Sequence, residues 1–351
     1  EQEDELREGS KILERVVSRV YTPGSLYEES LIGTDNVAML AAIVVKADKI
    51  GLAILDASTG NAWTVEYEGE ERWARSLDDL LRAKPSEVVF SSRDANRPEL
   101  LQLVSLLDST VLSQHNTSEK RGQEALKKVL AVSDLGHIDL GDSPLAMVAS
   151  GLAADYLASV QIVDEVNLRN IEIMRNDDSM ILDQTTLKNL ELITTLAGEK
   201  EGSLLGAIDK CRTSMGRRTL RNWLLRPLSN IEQISMRHDA VASCARSSKR
   251  LDQIRQSLLG LRDLERLATQ LSYNRSGGRD LVAIAIGLER MPKLKSLLLE
   301  MENDLFNDLA ENLDSLEAMK VDIQANLNEN QPLSLRDGAL IREGIDSKLD
   351  D

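Results

Sequence analysis

Among the 351 residues, the side chain best placed for chemistry is Asp56, which ends the apolar run Leu52 to Leu55 and precedes Ser58-Thr59-Gly60. Glu66 follows on the next apolar stretch. An aspartate at a strand end, joined by further carboxylates, could hold two Mg²⁺ ions for in-line phosphoryl displacement. One carboxylate is not a metal site, however, and Asp78, Asp79, Glu87 and Asp94 mostly fall where solvated helix starts or strand edges are expected. The ordinary task of an Asp before Ser-Thr-Gly is to hydrogen-bond the turn that follows it. A divalent-metal nuclease using Asp56 is therefore the alternative reading, and catalytic, cofactor and metal residues are otherwise expected to be absent.

Other chemistries find less support. Neither GxGxxG nor a GxxxxGKS or GxxxxGKT loop occurs, so no cradle for nucleotide phosphates is present. His115, His137 and His238 are scattered without a nucleophile beside them, and read as surface or helix-end histidines. Cys211 and Cys244 read as small buried hydrophobes; with no CxxC, they fit a reducing cytoplasm. The formal charge of −16 repels phosphate backbones, and 3% aromatics leave few stacking platforms for single strands. Against that field, Lys210 to Ile231 carries Lys210, Arg212, Arg217, Arg218, Arg221 and Arg226 without one acid, which reads as a helix face ion-paired to other segments.

The elements that must position these residues change character midway. Glu14 to Tyr21 reads as a strand entering the turn Thr22-Pro23-Gly24. AMLAAIVV, GLAILDAS and AWTVEY then predict a three-strand meander, followed by a helix around Asp78 to Arg82, a buried strand at Glu87 to Phe90 and a helix over Arg97 to Leu107. Strand and helix alternation makes this an α/β domain. Ser143-Pro144 opens a long helix to about Gln161, whose Ala146, Ala149, Ala153 and Ala154 suit close packing. From there to residue 330 nearly everything reads as helix, with Ser229 and Glu232 at capping-box spacing and a stripe of Leu261, Leu264, Leu267, Ala268 and Leu271. Trp223 is expected to be buried by its helix spacing. No apolar stretch approaches the roughly 20 residues of a membrane span.

LDQTTLKNLEL at Leu182 to Leu192, SLLGAIDKCRTSMGRRTLRNWLLRPL at Ser203 to Leu228, Arg237-His238-Asp239-Ala240-Val241 and Arg262-Asp263-Leu264-Glu265-Arg266 occur in this order. Together they resemble the core of the MutS family of DNA mismatch-repair proteins. ERVVSRVYTPGS resembles the end of that family's mismatch-recognition domain, GLAILDASTG the first hairpin of its connector, and Leu340 to Gly344 with Asp346 the run toward the second lever segment.

The resemblance implies a fold class of α/β followed by all-α. Residues 1–25 would be a recognition-domain remnant, 26–140 a ribonuclease-H-like connector without nuclease activity, 141–332 a helical core and lever, and 333–351 the approach to the second lever arm. It implies a relay between mismatch binding and an ATPase that both lie outside this chain. Glu1 in place of Met, and an end at Asp350-Asp351 within a charged run, suggest a piece of something longer. ATP and Mg²⁺, mismatched double-stranded DNA, a MutL-type partner and a dimeric state would belong to the parent protein. The piece itself would be neither an enzyme nor a strong DNA binder. A relative specialised for DNA structures other than mismatches is the other alternative.

Overall fold

The computed structural model describes residues 20–26, 38–107, 109–135, 143–161, 168–174, 179–180, 182–273, 276–332, 338–346 and 350. The chain divides into two units, Glu1–Arg175 and Asn176–Asp351.

Alternation along the first three strands decides the first unit. β1 (Met39–Lys46), β2 (Lys49–Asp56) and β3 (Asn61–Glu68) form the expected antiparallel meander, with Lys46 opposite Lys49 and Asp56 opposite Asn61. After α1 (Arg72–Ala83), β4 (Glu87–Phe90) pairs in parallel with β1. α2 (Pro98–Ser105) leads to β5 (Val111–Gln114), parallel to β4. α3 (Glu119–Val129) and α4 (Pro144–Gln161) lead to β6 (Asn170–Ile173), which adds in parallel to the outer edge of β3. The order β5-β4-β1-β2-β3-β6 is a ribonuclease-H-like sheet extended by one strand.

The two faces of the sheet are filled differently. Ala41, Ile43 and Val45 of β1, with Ile50, Leu52 and Ile54 of β2, pack against Leu80 of α1 and Leu100, Leu103 and Val104 of α2. The opposite face is covered by α4, where Ala146, Ala149, Ala153 and Ala154 are wholly buried. That helix approaches so closely that a Cβ on Gly51 would lie 2.1 Å from the Leu145 carbonyl oxygen. Thr64 Oγ1 completes the seam, donating toward both Leu52 O (2.9 Å) and Ala146 O (3.0 Å).

These contacts move the structural division. The expected boundary at 140/141 assigned α4 to the helical body, whereas α4 and β6 belong to the α/β unit and the division falls after Arg175. Two further strands, β5 and β6, stand where none was expected, and the second interrupts a stretch read as helix. Of the strand expected over Glu14 to Tyr21, residues 14–19 lie outside the described residues, and Val20 and Tyr21 are not in a strand.

The second unit is helical: α5 (Gln184–Asn189), α6 (Leu204–Ile208), α7 (Ser214–Leu225), α8 (Ile231–Arg246), α9 (Ser248–Leu258), α10 (Leu264–Ser272), α11 (Gly278–Glu289), α12 (Met291–Leu299), α13 (Asp304–Glu311) and α14 (Glu317–Asn326). Its longest helix among the described residues is α8 at 16 residues. Side-chain caps set several starts: Asp183, Ser203, Thr213, Asn230 and Asp263 each accept from a backbone N–H of the first turn. The cap of α8 is Asn230, one residue after the expected Ser229. Leu267, Ile284, Leu288 and Met291 form one apolar cluster and Ile254, Leu297 and Met301 another. No described helix is long and apolar enough to cross a membrane.

Candidate functional site

Asp56 is 4% exposed and its carboxylate is committed to the turn after β2. Oδ1 accepts from Ser58 N at 2.9 Å and Ser58 Oγ at 2.6 Å, while Oδ2 accepts from Thr59 Oγ1 at 2.8 Å. Gly60 closes that turn with a left-handed φ of 70°. Glu66 has a different task at the far end of the hairpin. Its Oε1 lies 2.9 Å from Lys49 Nζ, and its Oε2 accepts at 2.7 Å from Leu145 N, one of the donors a helix start leaves without an intrahelical partner. Glu66 thus supplies from the sheet a cap for α4, whose first residue is Pro144 as expected.

Asp56 and Glu66 are not brought together. Asp56 stands opposite Asn61 and Glu66 opposite Gly51, five residue steps apart, which at a strand rise of 3.4 Å is about 17 Å. Two-metal phosphoryl transfer needs carboxylates gathered around ions about 4 Å apart. Among the described residues, no group of three or more His, Cys, Asp or Glu side chains is arranged to hold a metal ion.

The acids expected at solvated positions are in part buried instead. Asp79 is 5% exposed and accepts from Tyr67 Oη and Arg82 Nη1. Asp94 is tied to Arg97. Glu87, at 1% exposure, accepts from Gly24 N at 3.0 Å and from the hydroxyls of Ser113 and Tyr156. Burial, and then the Glu87 carboxyl beside it, push the Tyr156 hydroxyl above the usual phenol pKa.

His115, at the end of β5, is bound rather than free: Nε2 lies 2.8 Å from Asp155 Oδ2, and the ring meets Tyr156 edge-on at 5.6 Å. Arg121 Nε donates to Asp155 Oδ1 at 2.8 Å. Burial opposes the charge on Asp155, but the hydrogen bonds from His115, Thr117 and Arg121 outweigh it and hold its pKa below the usual carboxylate value. His238 is exposed, and His137 lies outside the described residues. Cys211 and Cys244 are half-buried rather than fully buried, and burial pushes both thiols up, with Asp209 adding to it at Cys211.

The basic run folds as α7 and the turns flanking it, and two of its arginines, Arg217 and Arg218, pair with acids. Arg218 reaches Asp263 through both terminal nitrogens and Glu265 through one. Ser214 Oγ donates to the same Asp263 at 2.9 Å, and Asp263 Oδ1 also caps α10 by accepting from Arg266 N at 3.2 Å. Burial disfavours the Asp263 charge, yet Arg218 beside it and the Ser214 and Arg266 donors hold its pKa down. Arg217 approaches Asp209, which Lys200 also contacts at 2.7 Å. Leu225 is buried, but Trp223 is 45% exposed, with the Arg237 guanidinium 3.7 Å above its ring. The packing expected of Trp223 is therefore corrected to a surface cation–π stack.

Sequence reasoning missed Glu87, Asp155 and Tyr156 as a connected set, since their partners lie up to 69 residues away. A signal for Asp263 was available: Asp before Leu-Glu-Arg-Leu is a helix N-cap pattern.

Comparison with known proteins assigns both units. The model for MutS domain II matches residues 38–172, and that for MutS domain III matches residues 185–349. The chain is 32% identical over 366 residues to the DNA mismatch repair protein MutS of Trichormus variabilis, covering 100% of this chain and 42% of that protein. It is 33% identical to the protein of the same name from Anaeromyxobacter dehalogenans, over 97% of this chain and 38% of the relative. For that of Synechococcus elongatus the figures are 33%, 97% and 40%. The chain thus spans about two fifths of the length of these relatives. With domain II accounting for the α/β unit and domain III for the helical one, the chain belongs to the MutS family.

Proposed function

We propose that this chain is the connector and core/lever portion of a DNA mismatch-repair protein, relaying conformational change between a mismatch-binding part and an ATPase part that are both outside its 351 residues. The observation that carries the reading is the sequence of one α/β unit and one helical unit matching domains II and III of a single family. Packed elements with defined caps and ties move as units, which is what coupling over tens of ångströms requires. The chemistry of the chain agrees with a relay. Asp56 is saturated by its own turn and Glu66 by Lys49 and the start of α4, which argues against the divalent-metal nuclease. The residues present do not fit ATP with Mg²⁺ either, because no phosphate-binding glycine loop occurs, so nucleotide chemistry is assigned to the parent protein.

Mismatched double-stranded DNA is likewise a ligand of the whole protein, as are the dimeric state and the cytoplasmic location proposed for it. The connector is proposed as a docking surface for a MutL-type partner, a step that rests on family analogy. A salt titration of this chain on mismatched and matched duplexes tests the assignment. No mismatch-selective binding is expected at physiological salt, and sub-micromolar selective affinity would overturn it. Incubation with labelled DNA and Mg²⁺ or Mn²⁺ separates the nuclease reading, since cleavage abolished by Asp56→Asn would establish that activity instead.

A further inference from the structure

Glu87 gathers four separate stretches of the first unit around one carboxyl group. It projects from β4 and its three side-chain hydrogen bonds come from neutral donors: the Gly24 backbone, the Ser113 hydroxyl on β5 and the Tyr156 hydroxyl on α4. The stretch 20–26 is held there as a strap. Its turn is closed by Ser25 N donating to Thr22 O at 3.0 Å and by Thr22 N donating to Ser25 Oγ at 3.0 Å. A Cβ on Gly24 would lie 2.8 Å from Glu87 Cβ and 2.9 Å from Leu40 Cδ1, so the turn is seated directly on β4 and β1. Val20 N donates to Val160 O at 3.2 Å, near the end of α4, where a helix leaves carbonyls without internal partners. Tyr156 lies one turn earlier on the same helix.

The stretch 20–26 and the last turns of α4 are therefore bound to each other directly and to Glu87 in common. Oε2 accepts from Gly24 N, and Oε1 accepts from both Ser113 and Tyr156, so losing Gly24 leaves a buried oxygen unmet and losing Tyr156 removes half of the other oxygen's bonding; in this buried network each bond polarises the next, and the partners are held as a set. We infer that Glu87 is the pin of a joint through which the strap 20–26 and the C-terminal turns of α4 loosen and re-form together. Displacing the strap then frees the end of α4, and by reciprocity loosening α4 frees the strap. This inference rests on the relay reading for its use but not for its physics.

Amide hydrogen exchange on the 351-residue chain tests it, comparing wild type with Gly24→Ala, Tyr156→Phe and Glu87→Gln. Gly24→Ala perturbs the strap and is expected to raise exchange about tenfold both in residues 20–26 and in residues 157–161. Tyr156→Phe, a milder change that keeps the ring, and Glu87→Gln are each expected to raise exchange in both segments. Amides of β1 and β2 should stay within twofold of wild type in all three. Either segment responding alone, or exchange rising uniformly across the sheet in Tyr156→Phe and Glu87→Gln, would overturn the joint. Reciprocal loosening with no change at residues 184–258 would leave the joint standing and defeat the relay reading.

Discussion

Asp263→Ala should be among the more damaging single substitutions in the helical unit, and its cost can be worked from the contacts. The carboxylate is 7% exposed and performs three tasks at once. It caps α10 through Arg266 N, a function whose loss costs about 1 kcal/mol. It accepts from Ser214, and it faces Arg218, whose side chain is 16% exposed and would keep only Glu265. Hydrogen bonds to charged groups contribute about 1.5–3 kcal/mol, with the retained Glu265 contact favouring the lower end. The sum is about 3 kcal/mol, which for a unit of this size lowers its melting temperature by about 6–12 °C. Trp223 is the sole tryptophan of the second unit, so urea titration by fluorescence in a Trp63→Phe, Trp73→Phe background reads that unit alone. Asp263→Asn keeps an acceptor for the cap and should cost about half as much. The pH dependence has a definite sign. Because the folded pKa is depressed, this stabilisation is complete above the unfolded value of about 4 and is lost as pH falls through the folded one. A loss below 1 kcal/mol in Asp263→Ala, or equal losses in the two variants, would refute the ledger.

Trp223→Ala should cost only about 1 kcal/mol, the value of a half-exposed ring and a surface cation–π contact, instead of the 3–5 kcal/mol of a buried tryptophan; thermal melting distinguishes the two. Lys84, the C-cap of α1, holds a left-handed φ of 50°, so Lys84→Gly is expected to stabilise the first unit by about 0.5–1 kcal/mol in denaturant titration. Gly51→Ala should destabilise by at least about 3 kcal/mol, because the new methyl would overlap the Leu145 carbonyl and force α4 off the sheet; an unchanged melting temperature would show that the helix can slide.

What the sequence revealed follows the range of the forces involved. β1 to β3 were legible because alternation and turn residues are local signals that these strands obey, and Asp56 because an aspartate bonding its own following turn needs nothing distant. α4 was legible as a helix, and its alanines as a close-packing face, but an alanine face fits a neighbouring helix or a sheet equally well. Gly51, 94 residues before Leu145, and Thr64, bonded to Ala146, show which it meets. β6 has four residues and takes strand form against the open edge of β3, so its cause lies in another segment's unpaired backbone. Trp223 sits on an amphipathic helix, but its partner is the guanidinium of Arg237 on α8, which spacing within α7 does not show.

The buried acids show why spacing alone pointed weakly to catalysis. Asp56, Glu87 and Asp263 sit at the end of a strand or just before a helix, where backbone donors are left over, Glu66 lies on β3 beside the start of α4, and Asp155 lies within α4 facing side chains from β5's end and α3. Each is satisfied by groups from a turn, a helix start or a neighbouring element, so each joins two pieces of backbone instead of facing an open cavity. Placing a metal on Asp56 would require breaking three hydrogen bonds within its turn without bringing Glu66 within reach. A catalytic acid needs lone pairs left free for substrate or ion, whereas a structural one is recognised by having used them. By that criterion these five carboxylates are fasteners, and a segment fastened at its joints is suited to carrying motion from one part of a larger molecule to another.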